Sequence, residues 1–182
     1  MRIAFEEFEG DVSVIPQGYQ EIRCHMIFDI KMGKNFRRKA KTVAGGHRAE
    51  TPAALTYSSV VSRDSVRIAL TIAALHDLSV LACDIQNACL TAKCREKVWT
   101  RAGPEFGSDA GKIMLVVRAL CGLKSSGAAF RALLAETLYD LNYRPTKFGF
   151  KQLSSQTDLS TISCYSVMLT MCSACLTTQR QL

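Results

Sequence analysis

A single domain of mixed strands and helices is predicted over residues 11 to about 146. Three observations predict it: two runs of alternating residues around a Gly-Lys-Asn turn, a short apolar run ending in an acid, and two segments whose apolar residues keep helical spacing. The chain has 182 residues, 48% of them hydrophobic and 21% charged, enough apolar material for one core. No internal repeat is present.

Met26-Ile27-Phe28-Asp29-Ile30-Lys31 and residues 37 to 44 flank Gly33-Lys34-Asn35, where Gly and Asn tolerate positive φ, so a hairpin is predicted. Its basic residues are dense: Lys31, Lys34, Arg37, Arg38, Lys39 and Lys41. Alternation places Arg37, Lys39 and Lys41 on one face. Such a face also serves as a solvated edge that repels other strands, so charge alone does not separate the two roles.

Ser62 is positioned to cap a helix running to about His76, with Val66, Ala69, Leu70, Ala73 and Ala74 as its apolar stripe and Asp64 near the positive end of its dipole. His25, His47 and His76 read as surface residues. Val80-Leu81-Ala82-Cys83-Asp84-Ile85 has the pattern of a buried strand delivering one acid at its end. A buried carboxylate must be paired, protonated or metal-bound, and a salt-bridged structural Asp fits as well as a metal ligand.

Residues 113 to 120 form a second strand candidate, followed by Cys121-Gly122-Leu123-Lys124 as a glycine turn. Ser125 or Ser126 then opens a helix whose stripe is Ala129, Phe130, Leu133, Leu134, Thr137, Leu138 and Leu141. That stripe is core packing.

Lys and Arg number 23 against 16 acids, a net charge of +7 that allows a polyanionic partner. Eight cysteines are too few for a disulfide scaffold in a chain of this length, so reduced thiols are expected. Acids interrupt the amino-terminal apolar residues, unlike a secretion signal, and the longest apolar stretches fall short of the roughly 20 residues of a membrane span. The expected setting is intracellular, cytoplasmic or nuclear, with no membrane partner.

Five strings in order carry a resemblance: Arg38-Lys39-Ala40-Lys41-Thr42-Val43-Ala44-Gly45-Gly46-His47, Thr56-Tyr57-Ser58-Ser59-Val60-Val61, Val66-Arg67, Cys83-Asp84-Ile85-Gln86-Asn87-Ala88-Cys89-Leu90 and Ala119-Leu120-Cys121-Gly122-Leu123-Lys124. Together they resemble the reverse transcriptase of copia-type LTR retrotransposons. The resemblance implies an α+β fold, the fingers and part of the palm of a right-hand polymerase, over residues 11 to 146. It implies RNA-directed DNA polymerase activity with an RNA/DNA primer-template, deoxynucleoside triphosphates and Mg²⁺, and origin in a longer polyprotein is compatible with it.

By that resemblance Asp84 is the first catalytic aspartate and a metal ligand, with the Ile85 carbonyl as a second metal contact. Two hard cations held by carboxylates would neutralise charge on the transferring phosphate. Lys39 and Lys41 fall where cations meet the triphosphate and the template backbone, without a distinction between them. Cys89 stands where the family has an aromatic under the sugar. Gly122 and Lys124 fall in the loop beside the nascent base pair.

The sequence also departs from the family. Besides Cys89, Cys121 replaces a Tyr, Phe130 a Trp and Met26 a Trp. No Tyr-x-Asp-Asp is present: after Asp84 the aspartates are Asp109, Asp140 and Asp158, none beside another acid. One carboxylate cannot hold two Mg²⁺ ions about 4 Å apart, so loss of catalysis is expected. The alternatives are a non-catalytic nucleic-acid binder and a pseudogene fragment without function.

Residues 147 to 182 are expected to be a non-native tail, frameshifted or disordered. From residue 149 on, the only charges are Lys151, Asp158 and Arg180, and no sustained period appears. A zinc site at Cys172 and Cys175 finds only Cys164 nearby. Val167-Met168-Leu169-Thr170-Met171-Cys172 can be encoded as GTT ATG TTG ACG ATG TGC, which in another phase contains TAT GTT GAC GAT GTG, spelling Tyr-Val-Asp-Asp-Val. The coding DNA is therefore expected to end the codons of Leu169 and Thr170 in G; sequencing that finds another base at either position defeats the frameshift account.

Overall fold

The first sheet begins with a run of residues suited to burial on both sides. Val98, Trp99 and Thr100, β-branched or aromatic, are all buried in a strand over Val98–Arg101. The computed structural model describes residues 2–31, 36–50, 56, 58, 62–77, 79–80, 84–141, 143–145 and 153–155. Within them the strands are β1 (Phe5–Glu7), β2 (Gln20–Glu21), β3 (Cys24–Lys31), β4 (Arg37–Ala44), β5 (Val98–Arg101), β6 (Ile113–Val116), β7 (Tyr143–Pro145) and β8 (Leu153–Ser155). The helices are α1 (Arg63–Leu75), α2 (Ala88–Thr91) and α3 (Ser126–Asp140). The fold is mixed α+β.

The chain divides into two units, Met1–Tyr57 with Asn87–Phe130, and Ser58–Gln86 with Arg131–Leu182. In the first, a four-stranded sheet has the order β1-β6-β5-β2, antiparallel at β1/β6 and β6/β5 and parallel at β5/β2. Ile22, Val98, Met114, Val116, Leu120 and Leu123 are among its buried core residues. The core also draws on Ala4 and Phe5, ahead of residue 11, and the Phe5 ring meets Phe106 edge-on with centroids 5.1 Å apart. Lys112 Nζ ties β1 to the segment before β6, at 2.8 Å from Glu7 and 2.9 Å from Asp109.

The hairpin is formed as expected: β3 and β4 pair antiparallel from Cys24↔Ala44 to Lys31↔Arg37. Its Gly33-Lys34-Asn35 turn lies outside the described residues. The second strand is shorter than the predicted 113 to 120. It ends at Val116, and the backbone then leaves the ladder: Val117 N donates to Ala4 O at 3.0 Å and Ala119 N to Ala92 O at 3.0 Å. The glycine turn follows, with Gly122 at φ 97°.

In the second unit, Ser62 caps α1 by accepting from Ser65 N at 3.1 Å, and His76 ends the helix, as predicted. The stripe is only partly covered. Val66, Ala69 and Ala73 are half-buried, whereas Leu70 and Ala74 are exposed. In α3 the predicted stripe is covered at Ala129, Phe130 and Leu138, half-covered at Leu133 and Leu134, and exposed at Thr137 and Leu141. β7 and β8 pair antiparallel, Tyr143↔Ser155 to Pro145↔Leu153. The rest of the tail from 146 lies outside the described residues, and so do Val167 to Cys172 with their alternative codons. Among the described residues no helix is long and apolar enough to cross a membrane.

Burial pushes the thiols of Cys24 and Cys94 above their ordinary value of 9.0, against hydrogen bonds to Thr100 and to the Glu96 backbone. Hydrogen bonds to Glu7 and Asp109 raise Lys112 above 10.5. A group whose folded-state pKa is raised stabilises the fold below its unfolded value and loses that contribution as pH climbs through the folded value. Thermal stability is therefore expected to fall once pH exceeds 9.0, as these groups begin to titrate in the unfolded chain. A melting series from pH 7 to 11 checks this; a midpoint that rises above pH 9 contradicts it.

Candidate functional site

Alternation along β3 and β4 divides the hairpin into two faces. One carries Met26, Phe28 and Ile30 against Thr42, Ala40 and Arg38; the other carries His25, Ile27 and Asp29 against Val43, Lys41 and Lys39. Phe28 is 77% exposed, Lys39 is exposed and Lys41 is half-buried. Toward the base of the hairpin Thr42 Oγ1 donates to Met26 Sδ at 3.0 Å. Arg38 and Lys39 are therefore exposed on a ribbon anchored at one end, with Lys41 half-buried nearer its base.

That anchor is a close approach of two backbones. Ala44 N donates to Cys121 O at 2.8 Å, and Gly45 N to Arg23 O at 2.8 Å. A Cβ at Gly122 would overlap the Ala44 carbonyl oxygen and come within 3.0 Å of Val43 Cγ1; one at Gly46 would overlap the Gly122 carbonyl oxygen. Glycine is thus required at Gly122 twice over, by space and by φ. Val43 shares its face with Lys41 and Lys39, so the face carrying those cations is the one that meets the turn. Lys41 lies about 10 Å along the strand from Ala44 at the usual rise per residue.

Lys124, expected beside a nucleotide, donates from Nζ to Ala49 O at 2.7 Å and is half-buried. It braces the segment after the hairpin. Ser126 Oγ donates to Leu120 O at 2.6 Å, closing the turn on itself. Cys89 is buried on α2, just after Asn87, which adopts a left-handed φ of 54°. The structure thus brings Gly122 and Lys124 to the base of the strand that bears Lys39 and Lys41, all within the first unit.

Asp84 and Ile85 belong to the second unit. Asp84 was expected at the end of a buried strand. It is exposed and lies outside any strand, as do Val80 and Ile85, while residues 81–83 fall outside the described ones. A solvated carboxylate carries no burial penalty, so that part of the sequence argument does not apply to it. Among the described residues, no group of three or more His, Cys, Asp and Glu is placed to hold a metal ion.

Sequence reasoning missed Glu96. It is buried just ahead of β5, and its Oε1 accepts from both Ser125 N and Ser125 Oγ at 2.7 Å. No local pattern could have shown this, because the partner is 29 residues away. A substitution tests the anchor: Gly122→Ala is expected to cost more than about 2 kcal/mol, since it adds both backbone strain and a steric overlap. Urea denaturation measures it, and a cost under about 1 kcal/mol would show that the two backbones need not approach so closely.

The model of the family described as reverse transcriptase (RNA-dependent DNA polymerase) matches residues 10–156. Comparison with curated proteins and with solved structures returns no match. Because the match spans most of the chain and every element from β2 to β8, the chain belongs to the reverse transcriptase (RNA-dependent DNA polymerase) family.

Proposed function

We propose that the chain is the fingers and part of the palm of a copia-type retrotransposon reverse transcriptase that no longer polymerises on its own but keeps binding to primer-template. Family membership suggests an RNA-directed DNA polymerase, a class that generally uses Mg²⁺, a nucleic-acid template and deoxynucleoside triphosphates. On this reading Asp84 and the Ile85 carbonyl are what remains of the metal site, and Lys39, Lys41, Cys89, Gly122 and Lys124 are what remains of the nucleotide and template surface. The tail beyond the family match, from residue 157, is non-native, and the chain derives from an intracellular polyprotein.

The observation that carries the reading is the set of metal donors. A pair of Mg²⁺ ions needs several carboxylates converging on it. Beside Asp84 the chain has no adjacent pair of acids in its later sequence, Asp109 is bonded to Lys112, and Glu96 to Ser125. These residues do not fit a two-metal site, so no catalytic step is derived through one. The exposed cations of β4 favour retained binding, which needs only charge matched to phosphate.

Primer extension with purified chain, Mg²⁺ and deoxynucleoside triphosphates is expected to incorporate nothing. Fluorescence anisotropy is expected to show primer-template binding that weakens with salt. Replacing Lys39 and Lys41 together by Ala should lower the log–log salt slope by up to about 2, near one for each phosphate that is no longer neutralised. Unaided extension overturns the loss of catalysis, and no binding at low salt overturns the binder.

A further inference from the structure

Glu96 and Ser125 are both buried, at 8% and 1% exposure. The Glu96 carboxylate holds Ser125 through one oxygen, Oε1, which accepts from both the amide and the hydroxyl. The other oxygen, Oε2, is buried with no hydrogen-bond partner among the described residues. Leaving an acceptor so placed is costly, and shape alone does not require it. An apolar side chain would fill the same space without that cost, so the bond made by Oε1 is what the acid contributes.

The bonded chain runs from the sheet to the hairpin. Glu96 lies two residues ahead of β5, whose Trp99 O accepts from Ile22 N at 2.9 Å, and the intervening Lys97 O accepts from Gln20 N at 3.0 Å. Ser125 begins the turn of helix that Ala129 N closes at 2.9 Å, and it directly follows the turn bearing Gly122 and Lys124. Through Cys121 O and Lys124 Nζ that turn grips Ala44 and Ala49. We infer that Glu96 is a positioning residue for the nucleic-acid surface: acting through Ser125, it fixes the 121–124 turn and hence the base of the basic hairpin, without touching nucleic acid.

This inference rests on the hairpin and turn being that surface, and the test separates the two. Primer-template affinity is measured by anisotropy on the wild-type chain and on Glu96→Ala, Glu96→Gln and Ser125→Ala, with hydrogen exchange at the Ala44 amide followed in parallel. Glu96→Ala is expected to weaken binding about tenfold, the size of one charge-assisted hydrogen bond, and to speed exchange at Ala44. Glu96→Gln keeps an uncharged Oε1 acceptor for Ser125 and places an unpartnered NH₂ where Oε2 stood, so it should restore part of both. A further variant, Glu96→Met, fills much of the same space without an acceptor for Ser125, so rescue by Gln and not by Met is the readout that general loss of packing would not give.

Wild-type affinity and exchange in Glu96→Ala, or failure of Gln to rescue, overturns the inference. If the Ala variant does not fold, Ser125→Ala carries the comparison: a loss of affinity with faster Ala44 exchange supports the inference, and wild-type values overturn it. If the wild-type chain does not bind, the interface reading falls. Exchange at Ala44 then still decides whether Glu96 positions the turn.

Discussion

Two backbones pressed together at Ala44 and Gly122 hold the first unit in its shape. The contact leaves no room for a Cβ at Gly122 and none at Gly46. Because the hairpin is a two-stranded ribbon with much of its apolar surface exposed, Phe28 and Ile30 included, it has little packing of its own to set its direction. Its orientation is therefore borrowed from the turn. The turn in turn is braced from the sheet by Glu96 and closed on itself by Ser126. Each link is short and polar, and several are buried, where a missing partner costs more than it would in solvent.

The parts of this arrangement legible in the sequence were those whose signal is local. Alternation around Gly33-Lys34-Asn35 marked both strands of the hairpin. Ser62 ahead of the stripe Val66, Ala69, Leu70 and Ala73 marked the start of α1, and the spacing of Ala129, Phe130, Leu133, Leu134, Thr137, Leu138 and Leu141 marked α3. What could not be read depends on distant partners. Nothing near Glu96 announces Ser125, and nothing near Lys124 announces the Ala49 carbonyl 75 residues earlier. Lys124 in a glycine turn looks like a free cation, and only the fold reveals that its ammonium braces a carbonyl.

Asp84 illustrates the opposite error. An apolar run ending in an acid suggests a buried strand, because burial is the common reason for such a run. Here the acid and its neighbour Ile85 are solvent-exposed. Periodicity reports which residues would be content in a core; it does not say whether the chain supplies the layers that make one. On the proposed reading the acid would need a further acidic doublet beside it, and the sequence after α3 carries none.

Binding and catalysis differ in how they tolerate such loss. Two-metal chemistry depends on several carboxylates acting together, so the loss of one partner removes the function rather than reducing it. Attraction to a phosphate backbone is a sum over separate cations, and removing any one of them lowers affinity by a step. On the proposed reading, Lys39 and Lys41 owe their placement to bonds made inside the first unit, by Ala44, Gly122 and the Glu96 brace. None of those bonds involves Asp84. A chain that has lost its polymerase chemistry can therefore keep a shaped, basic surface for as long as the glycines and the buried acid beneath it remain.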